Sequence, residues 1–146
     1  MEILIKPWAE AQNAAFLVRQ EVFIWEQGVP EEIEIDEMDP LAIHVLAYKD
    51  AKCIGTARLV DLGGGWAQIG RMAVLVNFRN QGIGRQILEN LIAMAKSLGA
   101  SFLILHSQLT AISFYEKFGF IAEGPTYEEA GIVHRNMILL LPQTIK

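Results

Sequence analysis

The chain has a single cysteine, Cys53, in 146 residues, so it has no means of forming an internal disulfide. That suits a reducing, cytoplasmic setting, with Cys53 read as a small buried apolar side chain. No apolar run reaches the ~18–20 residues that cross a bilayer. The opening stretch MEILIKPWAE lacks the charged region and sustained apolar stretch of a signal peptide, so none is expected. Bases are scarce. Twelve Lys and Arg against 17 Asp and Glu leave a net charge of −5, which argues against nucleic acid or an anionic membrane as a partner. Three histidines and one cysteine lie scattered without ligand spacing, so no metal is expected.

What is present fits one folded domain spanning residues 1–146. The hydrophobic fraction is 52%, and a chain of this size buries roughly 70% of its unfolded surface. Glu2 to Lys6 reads as a strand ended by Pro7, followed by helical spacing from Trp8 to about Trp25 that Gly28-Val29-Pro30 stops. An acidic loop runs to about Pro40. Strands over His44–Ala47 and Ile54–Val60 flank the hairpin-length link Lys49-Asp50-Ala51-Lys52, and Leu62-Gly63-Gly64-Gly65 turns the chain into a strand from Ala67 to Val76. The next helix carries Ile87, Leu88, Leu91, Ile92, Ala95 and Leu98 on one face, and Gly99 closes it. Phe102–Leu105 reads as a strand buried on both sides. A short helix covers about Leu109 to Phe118. Two last strands, Phe120–Glu123 and His134–Leu141, are joined by a polar loop from Gly124 to Gly131. The order β-α-β-β-β-α-β-α-β-β predicts an α/β fold, a mixed sheet with helices on its faces.

The helix after the Ala67–Val76 strand opens with Arg79-Asn80-Gln81-Gly82-Ile83-Gly84. Gly82 and Gly84 remove Cβ atoms where a helix N-terminus leaves backbone donors unpaired, which favours an anion, although a tight turn alone would also use them. Gly84 is followed by Arg85-Gln86, so the motif is not a Walker A loop, which disfavours a nucleotide-binding regulator. A dinucleotide fingerprint would need glycine where Ile87 stands, in the first strand-helix unit of the chain.

Arg79-x-x-Gly82-x-Gly84, following Ile69-Gly70-Arg71-Met72-Ala73-Val74, resembles the cofactor-binding motif of the GNAT family of N-acetyltransferases. Ala111-Ile112-Ser113-Phe114-Tyr115-Glu116-Lys117-Phe118-Gly119-Phe120 resembles that family's second signature, about thirty residues later. Glu21 to Pro30 and Gly131-Ile132-Val133-His134 are further similar to a small bacterial subgroup, YjcF-like or ElaA-like. The resemblance covers nearly the whole chain. It implies the GNAT fold, a mostly antiparallel mixed sheet of about six or seven strands, with acetyl-CoA as co-substrate. The pyrophosphate would lie on the amides of Asn80, Gln81, Gly82, Ile83 and Gly84 beside Arg79, and the pantetheine arm would run along the backbone of Met72, Ala73 and Val74. One departure stands out: Gln108 occupies the place where the family often has a cofactor-contacting asparagine.

Acetyl transfer from a thioester to an amine needs three things: a base for the amine, donors for the oxyanion and an acid for the leaving thiolate. The resemblance makes Tyr115 the acid and a cofactor neighbour, with a half-buried structural aromatic as the alternative. A lysine-like amine, pKa ~10.4, is unprotonated in only roughly one molecule in 2,500 at pH 7, so a base must help. Glu26, His44 and His134 are the candidates. Glu26 either lines the acceptor cleft or ends a solvated helix, and His44, in a strand, has a structural reading as well. Between Glu21 and Asp39 stand Glu21, Glu26, Glu31, Glu32, Glu34, Asp36, Glu37 and Asp39 without a base. That run is either a solvated loop or a rim that attracts cationic amines, whether of a small molecule or a protein. The alternative to an enzyme is a catalytically inactive acyl-CoA-binding module. Monomer and homodimer both remain open.

Overall fold

The computed structural model describes residues 1–142. Seven strands form one sheet: β1 (Glu2–Pro7), β2 (Ile43–Lys49), β3 (Lys52–Gly63), β4 (Trp66–Val74), β5 (Phe102–Gln108), β6 (Ile121–Glu129) and β7 (Ile132–Leu140), in the spatial order β1-β2-β3-β4-β5-β7-β6. All neighbours are antiparallel except β4 and β5, which run parallel. That crossover is carried by α3 (Ile83–Ser97), as a parallel pair requires. The expected mixed, mostly antiparallel sheet is therefore present.

Helices α1 (Trp8–Arg19) and α3 cover opposite faces of the sheet. Strand alternation in β2 sends Leu46 against Ala11 and Ala15 of α1 and His44 against the Trp8 ring. Val45 and Ala47 point the other way, into the cluster that holds Ile87, Leu88, Leu91 and Ala95 of α3. The packing is close: a Cβ on Gly55 of β3 would lie 2.9 Å from Ile87 Cδ1.

The structure departs from the sequence reading in four places. The first helix does not run evenly to Trp25. It becomes a π-helix over Gln20–Glu26, whose wider turns bury Val22 while Phe23 lines a cavity. The acidic stretch is not all loop: α2 (Glu31–Glu34) and a 3₁₀ turn at Asp39–Leu41 fold within it. The stretch Gly124–Gly131 is mostly strand. β6 and β7 form a long hairpin whose turn residues Ala130 and Gly131 have φ of 53° and 78°, the left-handed pair that matches strand twist. Its polar composition reflects an exposed edge strand rather than a loop. Finally, β5 is not buried on both sides. Leu103 and Leu105 are, whereas Phe102 and Ile104 are half-buried.

Candidate active site

The parallel pairing of β4 with β5 lasts only from Trp66↔Phe102 to Ile69↔Leu105. Beyond Ile69 the strands part. β5 continues along β7 to Gln108, while β4 keeps only β3 as a neighbour, with its register broken by a bulge opposite Thr56 and Arg58. Arg71 sits in that bulge at φ 53°, a backbone conformation that only a firm surround maintains. The edge from Gly70 to Val74, which carries Met72, Ala73 and Val74, therefore has no strand partner on the β5 side. Between the parted strands lies a cavity of about 500 Å³, a size suited to a small ligand or the end of a larger one.

At the end of β4 the chain passes through the turn that opens α3. Asn80 (φ 62°) and Gly82 (φ 82°) are left-handed on either side of Gln81, and Ile83 is anchored in the core. Such alternation makes a concave nest of amides. No side chain caps the first turn of α3. A Cβ on Gly82 would point into open space, and one on Gly84 would make only ordinary contact, 3.5 Å from the Phe114 ring. Packing within the chain therefore does not explain the glycine at 84, whereas a backbone-hugging ligand does.

Arg79 does not extend over this nest. Its Nε donates to Val74 O at 2.8 Å, and its guanidinium makes a two-pronged ion pair with Glu26, each contact 2.7 Å. The Arg79 hydrogen bonds hold the Glu26 carboxyl below its ordinary value. The pair braces the end of the π-helix against the end of β4, and Glu26 is not among the residues lining the cavity. His44 is also outside it, buried, with Nε2 2.9 Å from Asp39 O; burial pushes its pKa down.

Tyr115, His134 and Gln108 do line the cavity together. Tyr115 lies on α4 (Ile112–Glu116) and is 7% exposed; burial raises its phenol well above the ordinary value, so it remains a proton donor at neutral pH. Gln108 exchanges amide hydrogen bonds with Gln27 at 2.9 and 3.3 Å, joining the end of the π-helix to the end of β5 across the cavity wall. His134 faces Gln108 in the β5–β7 register. Its Nδ1 lies 2.7 Å from Ile132 O, an acceptor, so Nδ1 donates there and Nε2 is the nitrogen available for proton exchange.

Two groups that the sequence reading passed over also belong to the cavity. His106 and Glu129 line it, joined by a 3.0 Å contact between His106 Nδ1 and a Glu129 oxygen, and the other Glu129 oxygen lies 3.9 Å from His134 Nε2. Reading Gly124–Gly131 as a loop hid this, because only strand pairing brings Glu129 over His134. The second group is an ionic network in which Glu34, Asp36, Arg58 and Arg71 line the cavity and Arg19 and Asp39 stand behind them. Arg19 binds Glu34 and Asp39, Arg58 binds Asp36 and Asp39, and Arg71 binds Glu34 and Asp36. Arg19, Glu34 and Asp39 are at most 1% exposed. The three carboxylates the sequence left unpaired thus meet three arginines from elsewhere in the chain.

A sheet split at a parallel strand pair, with an amide nest at the head of the crossover helix, defines the class of acyl-CoA-dependent acyltransferases. The chain belongs to the acetyltransferase (GNAT) domain family, whose model matches residues 9–141. It is 36% identical over 139 residues, 94% of this chain and 99% of the other, to the uncharacterized N-acetyltransferase YjcF of Bacillus subtilis. Against the crystal structure of Escherichia coli ElaA the TM-score is 0.85, with 26% identity over 94% of this chain and 99% of that one. An acyl-CoA N-acyltransferase from Pseudomonas aeruginosa gives 0.84, with 28% identity over 94% of this chain and 99% of that one. Membership implies use of an acyl-CoA. The residues present fit that ligand, since the nest, the open Cβ space at Gly82 and the unpaired β4 edge lie consecutively in the chain. Among the described residues no helix is long and apolar enough to cross a membrane.

Proposed function

We propose that this protein is an acetyl-CoA-dependent N-acetyltransferase in which the primary amine of a small molecule or protein attacks the thioester directly. The observation that carries this reading is the cavity at the β4–β5 split, lined at once by a buried tyrosine, Tyr115, and a histidine with a free Nε2, His134. The amine nitrogen forms a bond to the thioester carbonyl carbon, the C–S bond breaks, and the sulfur leaves with its electron pair. Tyr115 then supplies a proton to the thiolate, and His134 accepts the proton that the amine sheds. The backbone of Met72, Ala73 and Val74 holds the pantetheine arm along the open edge of β4, and the amides from Asn80 to Gly84 hold the pyrophosphate.

Release of free CoA thiol from acetyl-CoA, followed across a panel of primary amines, tests the reading. Steady, amine-dependent release supports it. Tight acetyl-CoA binding with no release from any amine would replace it with an inactive acyl-CoA-binding module.

A further inference from the structure

We propose that Glu129 is the acceptor anchor. In this assignment it binds the protonated amine in the gap between its carboxylate and His134 Nε2 and hands the nitrogen to the histidine for deprotonation. This rests on the acetyl-transfer reading above and names the residue that selects its acceptor.

Among the described residues three side-chain carboxylates line the cavity: Glu34, Asp36 and Glu129. Two of them are already matched by guanidinium groups. Glu34 meets Arg19 and Arg71, and Asp36 meets Arg58 and Arg71. Among the described residues Glu129 has imidazoles as its ion-pair partners, His106 at 3.0 Å and His134 at 3.9 Å, with no guanidinium or lysine among them. It is therefore the cavity carboxylate without a permanent cation, so an incoming ammonium displaces no guanidinium to reach it.

The position of Glu129 is fixed by the hairpin. The turn at Ala130-Gly131 pairs Glu129 with Ile132, and the register places Tyr127 opposite His134. Alternation then puts Tyr127 and Glu129 on one face of β6 beside His134 and Asn136 of β7 and His106 of β5. Contacts confirm the shared face: Tyr127 meets the His106 ring edge-on at 5.8 Å, stacks on His134 at 6.2 Å and hydrogen-bonds Asn136.

The gap itself suits an ammonium. At 3.9 Å, His134 Nε2 and the Glu129 oxygen are too far apart for a hydrogen bond with each other. A single nitrogen can sit at hydrogen-bond distance from both, donating one proton to the carboxylate and another to the lone pair. When Nε2 takes that proton, the amine becomes nucleophilic and the new imidazolium lies beside the carboxylate. The ammonium proton passes to His134 and on to solvent, so Nε2 can accept the second proton that the nitrogen sheds as the amide forms. That proton balances the one Tyr115 gives to the thiolate, and no co-reactant is required.

The test compares the wild-type protein with Glu129→Gln on two acceptors. One is the alkylamine from a panel containing 1,4-diaminobutane and lysine methyl ester that the wild type acetylates fastest. The other is its O-alkylhydroxylamine isostere, uncharged at pH 7, measured as substrate or as competing inhibitor. Loss of a charge-assisted contact should lower kcat/KM for the alkylamine by ~10–100-fold. Affinity for the uncharged isostere and for acetyl-CoA should stay unchanged. A Glu129→Gln protein equal to the wild type on the alkylamine, or one that loses both acceptors equally, overturns the anchor. Failure of the wild type itself to acetylate any amine would instead overturn the acetyl-transfer reading, so the two failures are distinct.

Discussion

In the proposed acetyl transfer, the leaving-group chemistry rests on Tyr115. Its phenol is buried on α4, and burial disfavours the phenolate, so the proton is retained until a thiolate develops nearby. Tyr115→Phe removes only the hydroxyl from a ring that packs against Phe114 and Phe120. The expected result is a kcat lower by ~10²–10⁴-fold with acetyl-CoA affinity little changed, read by steady-state kinetics and calorimetry. Gly82 offers a second residue-scale test. Its φ of 82° means that Gly82→Val would strain the turn as well as block it, so Gly82→Asn is the better probe, because asparagine tolerates the left-handed region. Its side chain would enter the open space beside the nest. Acetyl-CoA affinity should fall at least tenfold while the melting temperature moves little; unchanged affinity in the folded variant would remove the pyrophosphate from this turn.

At the scale of elements, the ionic network joins α1, α2, the Asp39 turn, β3 and β4 along one side of the cavity. Burial alone would raise the Asp39 carboxyl, but the Arg19 hydrogen bonds and charge, helped by the Asp36 amide and Arg58, bring it down to about 2. The folded value lies below the unfolded one, so this contribution is complete above about pH 5 and is lost as pH falls through 4 toward 2. Denaturant unfolding between pH 2 and 6 should show that loss in the wild type and a much flatter profile in Asp39→Asn. At pH 7 the variant should be destabilised by ~3–5 kcal/mol, because Arg19 and Arg58 stay buried with one carboxylate fewer. Arg79 and Glu26 make a smaller brace of the same kind, between the π-helix and the end of β4. Arg79 of the glycine motif is thus engaged with Glu26 rather than with the nest.

For the whole molecule, the net charge of −5 is not concentrated where the sequence suggested. Of the eight acids between Glu21 and Asp39, Glu34, Asp36 and Asp39 are matched by arginines, and Glu26 by Arg79. Glu31, Glu32 and Glu37 are exposed, and none of them lines the cavity. Charges beyond a screening length of about 8 Å at 0.15 M salt contribute little to steering. Joint substitution of Glu31, Glu32 and Glu37 by Gln should therefore change stability by no more than about 0.5 kcal/mol. It should also leave the ranking of cationic over neutral acceptors intact. A lost ranking in that variant, measured by kcat/KM at low and high salt, would restore the acidic segment as the attracting rim.

Local pattern was enough for much of this protein. Helical and strand periodicity placed α3, the start of α1 and six of the strands to within about three residues, because amphipathic elements write their burial into the sequence. The two glycines of RNQGIG and the Tyr115 stretch marked the family, because each is a short motif whose residue types and spacing are legible without the fold. The hairpin of β6 was illegible, since an edge strand that faces solvent carries the composition of a loop. The partners of charges were illegible too: Arg19, Arg58 and Arg71 stand 15 to 37 residues from the acids they bind, and no periodicity records such a separation. Only tertiary structure decided that Glu34 is buried with Arg19 while Glu129 faces the cavity without one. The reason is physical. A carboxylate's role depends on which cation shares its low-dielectric surroundings, and that is fixed by strand register and helix docking rather than by its neighbours along the chain.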